Sequence, residues 1–594
     1  MFLFIVALAS MNFMQSNEQL TAVRHSLAHL LAAAILDIWP DTKNTIGPAI
    51  DTGFYYDFEF SKPISEKDFS RIEQKMRELL KGWSTFSHKE VTPTEAKKQF
   101  EGNQYKHELV DDIVHKGEKI TLYTSGTFTD LCRGGHVENA DEIKAAGWKL
   151  SKVAGAYWRG DEKNAQLTRI YGLAFESKEA LAAHEAMMAE AEKRDHRKLG
   201  KELDLFAFSD LVGSGLPLFT PKGTAMRDAL SDFVWQLSRI HGYQRVWIPH
   251  MAKDALYKTS GHYDKFTDDI FHVRSKKSDD AFIMKPMNCP HHTQIYASKP
   301  RSYRDLPLRY SEVTTVYRDE NTGQLAGLSR VRSITQDDAH IFCTPEQMKD
   351  EIKKIYEIIA RVYEIVGMPL RIRLSVNDPA HPEKYLGGTE RWEQSVNALK
   401  EILTDLGKEY ELGVGEAAFY GPKIDFMAKD AIGREWQLAT AQLDFNQPER
   451  FELEYTANDG TKQRPVMVHR AITGSIERFM GILIEHYAGI FPTWLAPVQV
   501  VVVPIGEAHN AFASEVALAL GAEDLRVQLD NSDDGFGKKI RAAKVAKIPY
   551  TLVIGDNEMV SKTVTVESRD KGKVGQMSLA EFLQHIEEEI KLRK

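Results

Sequence analysis

Apolar and polar positions along this chain are arranged in ways that predict several folded domains. Residues 20 to about 180 mix short helical and strand patterns, with turn signals at Ile46-Gly47-Pro48 and Asp51-Thr52-Gly53. From about residue 204 to 495, apolar strands and helices alternate until the Trp494–Pro497 segment interrupts the pattern. Both regions therefore predict domains that combine helices with sheet, an α+β arrangement.

A charged amphipathic stretch, Ser177 to about Leu203, lies between these regions. It is rich in helix formers and has no glycine or proline before Gly200, which predicts a helical connector. The tail opens with the buried strand pattern VQVVVVPIG and then alternates helical and strand segments, as in a small α/β domain with a largely parallel sheet. The predicted division of the chain is 1–17, 18–176, 177–203, 204–495 and 496–594.

Composition supports a folded protein with several domains. The 594 residues exceed what one core usually serves, and 43% hydrophobic with 27% charged residues argues against large-scale disorder. A formal net charge of −9 argues against a nonspecific nucleic-acid coat, although a local basic stripe could still bind RNA phosphates. Three cysteines are too few for a disulfide framework, which favours a reducing, cytoplasmic compartment.

The first ten residues, MFLFIVALAS, are apolar, lack a basic region and are too short to span a bilayer. A degenerate signal peptide and an over-called start are the two interpretations, and we favour a start at Met11 or Met14. No later segment has about eighteen uncharged apolar residues, so the sequence predicts no membrane span.

Histidines and a cysteine form a candidate site in the first domain. His25 and His29 are four residues apart and share one face of a predicted helix, while Cys132 and His136 flank two glycines. The histidine pair alone could be two core residues. Together the four side chains have the chemistry for tetrahedral zinc, or for positioning a water in ester hydrolysis. Residue types do not separate these two alternatives.

A second candidate site is spread over three distant segments of the central domain. Cys289 stands in the proline-flanked turn KPMNCPHH, His340 ends the strand pattern QDDAH, and His469 precedes a strand-to-helix transition. If the fold assembles them, three protein ligands leave one tetrahedral position open, which is typical of catalytic zinc.

The phosphate-binding signal comes from arginines. Arg318, a glycine-containing loop and then Arg330 predict strand, loop and strand, and Arg478 lies in the helix pattern GSIERF. Guanidinium groups fixed in such positions suit a nucleotide's phosphates, although each arginine alone is more often a surface charge. The order of the segments decides in favour of phosphate binding.

The order of a Pro-ended strand (GYQRVWIP), an Arg-loop-Arg segment and a Gly-x-x-x-Arg helix resembles the signature motifs of class II aminoacyl-tRNA synthetases. SGHYDKF, KPMNCPHH, RVRSITQDDAHIF, AFYGPKIDF, WQLATAQLDF and VHRAITGSIERF resemble threonyl-tRNA synthetases in register. HSLAHLL, GFYYDF and DLCRGGHV resemble that family's editing domain, and GFGKKIRAAKVAKIPYTLVIGDNE its anticodon-binding domain. The resemblance covers about residues 18 to 592. It implies an antiparallel-sheet class II catalytic core, an α+β editing domain and a C-terminal α/β anticodon-binding domain.

The resemblance also implies an activity: forming threonyl-adenylate from L-threonine and ATP, loading tRNA(Thr), and hydrolysing mischarged seryl-tRNA(Thr). It implies one Zn²⁺ per subunit, Mg²⁺ with the ATP, and a cytoplasmic homodimer. The implied zinc ligands are Cys289, His340 and His469. The implied ATP-site residues are Arg318, Glu320, Arg330, Lys423, Gln437 and Arg478. The implied threonine contacts are Gln336, Asp338, Tyr420 and Gln442. The implied editing residues, in a site without zinc, are His25, His29, Lys106, Asp130, Cys132 and His136.

Substrate choice has a physical account on this interpretation. Valine offers no hydroxyl to the zinc ion and is rejected, whereas serine offers both an amine and a hydroxyl. Losing one methyl changes binding by only about 1–3 kcal/mol, so a second, hydrolytic site is needed to remove serine.

Basic residues on a predicted helix of the tail are candidate tRNA contacts. They are Lys538, Lys539, Arg541, Lys544 and Lys547. Composition alone would fit a solvated surface helix equally well, and the position in an anticodon-binding domain favours RNA phosphate contact.

The sequence departs from the family pattern at three points. The ubiquitin-like domain that precedes the editing domain in most bacterial members is absent, Leu438 replaces a smaller or sulfur-bearing residue, and Gly135 stands where proline is common. Two competing functions are a synthetase-like paralogue without aminoacylation activity and a class II synthetase for serine or proline. The retained ligands and motif arginines disfavour the first, and the zinc triad beside HxxxH and CxxxH disfavours the second.

Overall fold

A computed structural model describes the backbone of residues 2–593 and the side chains of residues 18–593. The chain forms two compact units, Met1–Ala189 and Glu190–Lys594. The predicted start at Met11 or Met14 lies outside the residues whose side chains are described. Within the described part, no helix is both long and apolar enough to cross a membrane.

The first unit holds the predicted editing domain. Its helices are α1 (Phe2–Ile38), α2 (Phe69–Leu80), α3 (Pro93–Gln99), α4 (Gln104–His115), α5 (Asp141–Ala145) and α6 (Lys178–Arg194), the last of which runs into the second unit. Its strands are β1 (Lys43–Asn44), β2 (Ala49–Ile50), β3 (Gly53–Glu59), β4 (Ser87–Val91), β5 (Ile120–Ser125), β6 (Phe128–Leu131), β7 (Gly147–Tyr157) and β8 (Gln166–Phe175).

Helix α1 covers an antiparallel sheet of order β1-β3-β8-β7, with β2 on β3. Leu27 and Leu31 of α1 are fully buried in one core with Phe54 and Phe58 of β3, which fixes the rotation of the helix. A second sheet, β4-β5-β6, ends beside the cysteine loop. The α+β prediction for this domain is confirmed.

The second unit begins with the catalytic part. Its helices are α7 (His196–Glu202), α8 (Pro221–Ile240), α9 (Asp254–Ser260), α10 (His262–Lys265), α11 (Cys289–Ala297), α12 (Met348–Val366), α13 (Thr389–Asp405), α14 (Asn446–Arg450) and α15 (Ile476–His486). Its strands are β9 (Phe206–Ala207), β10 (Leu218–Phe219), β11 (Gln244–Arg245), β12 (Met251–Lys253), β13 (His272–Arg274), β14 (Ala281–Met284), β15 (Leu308–Tyr317), β16 (Ser333–Cys343), β17 (Leu370–Val376), β18 (Glu411–Val414), β19 (Lys423–Lys429), β20 (Glu435–Asp444), β21 (Tyr455–Thr456), β22 (Lys462–Gln463) and β23 (Val466–Ser475).

An eight-stranded sheet of order β11-β15-β16-β23-β20-β19-β17-β18 organises this part. Its inner pairs are antiparallel, and only the two end pairs, β11 with β15 and β17 with β18, are parallel. Apolar faces of α12 and α15 are buried in the core with β16, β20 and β23. The predicted antiparallel catalytic core is therefore confirmed.

The C-terminal part forms a smaller three-layer α/β domain. Its helices are α16 (Asn510–Ala522), α17 (Phe536–Val545), α18 (Asp556–Ser561) and α19 (Leu579–Lys591). Its strands are β24 (Val500–Pro504), β25 (Val527–Leu529), β26 (Tyr550–Ile554), β27 (Thr563–Ser568) and β28 (Gly572–Ser578), in the order β25-β24-β26-β27-β28.

Three of these five strands are parallel, as the alternation predicts, but β27 and β28 extend the sheet in antiparallel fashion. Residues 569–571 are too few for a parallel crossover and form a hairpin turn, which explains why β28 runs antiparallel to β27.

The predicted single connector is two helices. Helix α6 ends at Arg194, and the Asp195 carboxylate caps α7 by accepting the amide N–H of Arg197. Leu199 and Leu203 of α7 then pack into the catalytic core. The second half of the connector thus packs with the central core, and the boundary near residue 204 stays a prediction.

Candidate functional site

Cys289, His340 and His469 come together in the catalytic part, and their ligand atoms all lie within 4.8 Å of one another. His340 and His469 face each other across β16 and β23, with His340 Nε2 3.2 Å from His469 Nδ1. Cys289 is the first residue of α11 rather than part of a turn, and His340 lies within its strand rather than at the end. All three side chains are buried.

The groups behind this trio orient its nitrogen atoms. His469 Nε2 donates to Asp444 Oδ2 at 2.9 Å, which directs Nδ1 towards the trio. His340 Nδ1 lies 2.8 Å from His292 Nδ1, and His292 Nε2 in turn faces Glu312 at 3.8 Å. Each histidine therefore has its outer nitrogen in a polar contact and its other nitrogen beside a thiol, which is the arrangement typical of zinc ligands. Burial raises the pKa of Cys289 well above its usual value, so a thiolate there requires a neighbouring cation.

The predicted threonine contacts surround the trio. Gln336 and Asp338 alternate with His340 on one face of β16, and the Asn288 amide donates to Asp338 at 3.0 Å. Tyr420 stacks on the His469 ring with centroids 4.9 Å apart and donates to the Gln442 side chain. The sequence places these residues in separate motifs, and the fold brings them to one pocket.

Several neighbours of the trio are not among the predicted site residues. His262 Nε2 lies 3.6 Å from Cys289 Sγ, and burial lowers the pKa of His262 to about 3. Asn288, His292 and Asp444 supply the outer hydrogen bonds described above. All four stand in the quoted segments SGHYDKF, KPMNCPHH and WQLATAQLDF, and membership in those segments was the only signal that the sequence offered for them.

A cavity of about 450 Å³ opens beside this pocket. Its lining includes most of the predicted ATP-site residues, namely Arg318, Glu320, Arg330, Gln437 and Arg478. Lys423 does not line it. Its ammonium binds Asp425 at 2.8 Å, and Asp425 also accepts a hydrogen bond from Gln437. Leu438, the departure from the family pattern, lines the same cavity.

Two arginines in this cavity have unused donors. The Nε atoms of Arg318 and Arg478 are buried and have no hydrogen-bond partner among the described residues. Burial lowers the pKa of both guanidinium groups. Arg330, by contrast, is paired with Glu320 at 2.6 Å. Guanidinium groups that line a cavity and keep an unpaired donor are suited to a multiply charged anion such as a triphosphate.

The predicted editing residues also assemble, in the first unit. The ligand atoms of His25, His29, Cys132 and His136 lie within 4.8 Å of one another. Cys132 Sγ is 3.5 Å from His25 Nε2 and 3.2 Å from His136 Nε2. Burial lowers the pKa of His136 to about 2 and raises that of Cys132 to about 11. Near neutral pH the site therefore holds a neutral imidazole and a protonated thiol.

A buried ionic group forms one wall of this site. The ammonium of Lys106 contacts Asp130, and Tyr56 donates to the other Asp130 oxygen at 2.5 Å. Tyr56, from GFYYDF, is absent from the predicted set, because no chemical pattern linked it to Asp130. Gly135 has φ +81°, which proline cannot adopt, so a proline at this position would require a different loop backbone.

The predicted basic cluster on α17 is divided by the fold. Lys538, Arg541 and Lys544 are exposed, with Lys538 paired to Asp534 and Lys544 to Glu567. Lys539 is 5% exposed and donates to the Asp530 carbonyl at 3.1 Å, and Lys547 donates to the Ala488 carbonyl. Lys539 and Lys547 therefore bind backbone carbonyls, which corrects the predicted five-residue surface to the three exposed residues.

Three families match the chain in the order of these domains. They are the Threonyl and Alanyl tRNA synthetase second additional domain at residues 120–171, the tRNA synthetase class II core domain (G, H, P, S and T) at 271–487, and an Anticodon binding domain at 499–589.

Similar whole proteins span nearly the same length. The threonine–tRNA ligase of Cytophaga hutchinsonii is 48% identical over 95% of this chain and 88% of its own. That of Rubrobacter xylanophilus is 47% identical over 98% of this chain and 90% of its own.

Solved structures agree with these matches. A crystal structure titled as the RNA binding domain of threonyl-tRNA synthetase from Cryptosporidium parvum superposes with a TM-score of 0.64 at 38% identity, covering 66% of this chain and 98% of that one. Giardia lamblia prolyl-tRNA synthetase, at 17% identity and a TM-score of 0.54 over 69% of this chain and 80% of that one, shares the fold.

Proposed function

This chain belongs to the threonine–tRNA ligase family, and on that premise we propose which of its side chains carry out charging and editing. Its class II core and its editing domain agree with both activities. The observation that carries the residue assignment is the buried Cys289–His340–His469 trio beside a cavity with unpaired arginine donors. One pocket takes the amino acid, and the adjoining cavity takes ATP with Mg²⁺.

Amino-acid selection is assigned to the trio. Cys289, His340 and His469 would hold one zinc ion, which supplies a Lewis acid for the amine and hydroxyl of threonine. Asp338, whose Oδ1 lies 3.7 Å from His340 Nε2, would bind the ammonium group of the substrate, and Tyr420 stacks on His469 at the same pocket. Valine lacks the hydroxyl and leaves the polar pocket unsatisfied, so it is rejected.

Adenylate formation needs positioning more than proton transfer. The threonine carboxylate is already ionised, and its oxygen bonds to the α-phosphorus as pyrophosphate leaves. Arg318 donates to the α-phosphate while negative charge develops there, and Arg478 binds the γ-phosphate. Their unpaired Nε atoms support this assignment. Glu320, held by Arg330, faces the adenine edge.

Removal of serine is assigned to the first unit. The neutral imidazoles of His25 and His136 can accept a proton from a water that attacks the carbonyl carbon of the seryl ester, because burial keeps their pKa values low. The bond from that carbon to the 3′-oxygen of the tRNA then breaks, and the imidazolium returns the proton to this leaving oxygen. Lys106 and Asp130 then fix the ester beside Cys132. We carry over the family's metal-free editing site, and zinc stoichiometry tests this point, with one ion per chain expected rather than two.

The remaining assignments concern partners. Lys538, Arg541 and Lys544 are proposed to contact phosphates of tRNA(Thr).

Trp247, 77% exposed, and Ile240, 72% exposed, flank the edge strand β11. We propose that this face joins two copies in a homodimer in the cytoplasm.

Amino-acid-dependent ATP–pyrophosphate exchange tests the proposal. Threonine should support exchange, serine less and valine none, and a zinc chelator should abolish it. Folded, zinc-loaded protein without exchange for any of the three would overturn the site assignment. The same protein with tRNA-binding activity alone would then favour a paralogue that does not aminoacylate.

A further inference from the structure

His196, the first residue of α7, lies between the two elements that carry the cavity arginines. The side chain is buried, and both ring nitrogens are engaged. Nε2 accepts the backbone N–H of Leu328 at 3.0 Å, and Nδ1 lies 2.6 Å from Glu485 Oε1. Because a backbone N–H can only donate, Nε2 is unprotonated, and Nδ1 carries the proton that Glu485 accepts.

The Leu328 end of this bridge belongs to the loop between β15 and β16. That loop contains Glu320 and Arg330, and Leu328 itself is fully buried in the catalytic core. The adjacent Gly327 has φ +50°, and a Cβ at that position would overlap the His196 ring. The imidazole thus contacts the loop closely at two consecutive residues.

The Glu485 end belongs to α15, about two helical turns after Arg478. Glu485 also forms an ion pair with the Arg434 guanidinium, whose Nη2 lies 2.6 Å from Glu485 Oε2. Arg434 lies over the Trp436 ring at 5.2 Å, and Arg478 lies over the same ring at 5.8 Å. A continuous set of contacts therefore leads from Leu328 through His196 to the neighbourhood of Arg478.

Asp195, His196 and Glu485 have ligand-type atoms within 4.8 Å of one another, as a metal site would. Both nitrogens of His196 already have protein partners, however, and Asp195 caps its own helix. Hydrogen bonds within the protein therefore explain why these three side chains lie together, without a metal ion.

We propose that His196 is a positioning residue for ATP, which holds the β15–β16 loop in register with α15 so that Arg330 and Arg478 meet one nucleotide. This inference rests on the proposed ATP cavity. It assigns His196 an effect on ATP that threonine binding does not share, since the trio and its neighbours make no contact with the imidazole.

Two substitutions separate the two ring nitrogens. In H196N the amide nitrogen can still donate to Glu485, but no atom reaches Leu328. In H196Q the longer side chain brings an oxygen to the Nε2 position, where it can accept from Leu328. Both variants lose one hydrogen bond, so a purely structural role predicts similar defects in both.

ATP–pyrophosphate exchange, corrected for active enzyme by the adenylate burst, provides the kinetic test. H196N should raise KM for ATP roughly three- to tenfold, the cost of one net hydrogen bond, while KM for threonine stays unchanged. H196Q should remain near the wild type. Equal KM values for ATP in the two variants, or equal rises for ATP and threonine, would overturn the inference.

Hydrogen exchange of the peptide that includes the Leu328 amide supplies a readout besides activity. We expect faster hydrogen exchange of this amide in H196N but not in H196Q. Unchanged hydrogen exchange in H196N would contradict the proposal that His196 holds the β15–β16 loop. If the wild type shows no ATP–pyrophosphate exchange, that result would instead contradict the proposed ATP cavity. The two failures are therefore distinguishable.

Discussion

The Lys106 ammonium lies 2.5 Å from Asp130 Oδ1, and each side chain is only 1% exposed. Two charges removed from water in this way carry a large desolvation cost that their attraction only partly offsets. Tyr56 and Asn44 complete the group by hydrogen bonds to Asp130. This buried ion pair holds two charged groups in fixed positions at the candidate editing site. Removing either partner alone should therefore strongly destabilise the fold.

Replacing Lys106 by methionine should destabilise the first unit. The variant K106M leaves the Asp130 carboxylate buried without its cation, at a cost of about 3–5 kcal/mol. The double variant K106M/D130N should recover part of that loss, because the uncompensated charge is gone. Thermal unfolding of the full chain measures the effect. In K106M, the transition of the first unit should move to a lower temperature.

The exposed pair Lys119–Glu90 provides the matched control for this experiment. Its side chains are 78% and 58% exposed, so K119M should change the free energy of unfolding by about 1 kcal/mol or less. Equal shifts in K106M and K119M would contradict the account of a buried, strongly coupled pair.

Asp444 should control zinc affinity without touching the metal. It accepts the Nε2–H of His469 and so directs Nδ1 to the trio. We expect D444N to weaken zinc binding about 10- to 100-fold, measured by competition with a chromophoric chelator. D459N, at an exposed position in the same domain, is the control and should retain wild-type affinity. Identical affinities in D444N and D459N would refute the orienting role.

Stability of the first unit should fall on acidification, and His136 should account for part of the loss. Its folded pKa of about 2 lies below the ordinary value, so below pH 6.5 only the unfolded chain takes up the proton. Between pH 7 and pH 5 this linkage removes at most about 2 kcal/mol. In H136Q, the stability of the first unit should depend less steeply on pH than in the wild type. The readout is the same thermal transition that K106M is expected to shift.

The exposed His88 offers a control for that titration. H88Q removes an exposed histidine of the same unit and is measured in parallel with H136Q. A slope that is equally steep in H136Q and the wild type would show that the buried imidazole takes no part.

Two glycines of the β15–β16 loop should differ sharply in their tolerance of alanine. Gly327 has φ +50° and lies against His196, whereas a Cβ at Gly323 meets open space. We expect G327A to raise KM for ATP several-fold, and G323A to behave like the wild type. Pyrophosphate exchange measures both, and equal KM values would argue against close packing of His196 on this loop.

Arg541 should contribute to tRNA affinity in a salt-dependent way. The variant R541A removes one exposed guanidinium from α17, and the slope of log affinity against log salt should decrease by about 0.7 to 0.9. Filter binding of tRNA(Thr) between low and moderate salt measures that slope. K571A, in the turn after β27, should leave it unchanged, and equal slopes in all three proteins would remove α17 from the tRNA surface.

Local rules explain what the sequence predicts correctly. His25 and His29 share a helix face because four residues make about one turn, and the strand, loop and strand around Arg318 follow from residues close in the chain. The order of the motifs then predicts the topology of the catalytic core, since similar sequences adopt similar topologies.

Contacts between distant residues explain what the sequence does not predict. Asp444 and His292 support the trio only after β16, β20 and β23 are aligned, and nothing in their local sequence indicates a partner. The inward direction of Lys539 depends on the rotation of α17, which its packing on the sheet decides. Likewise, α6 ends at Arg194 and α7 begins after the Asp195 N-cap, although the composition of this stretch favours one continuous helix.

The pairing of His340 with His469 across two neighbouring strands also constrains how this enzyme can evolve. A slip of one residue between β16 and β23 would turn every side chain of the moved strand to the opposite face. Gln336, Asp338 and His340 occupy one face of the same strand, so all three would be lost in a single step. On the proposed assignment, a change of amino-acid preference is therefore expected from exchange of side chains, because an insertion or deletion within these strands would displace all three proposed contacts together.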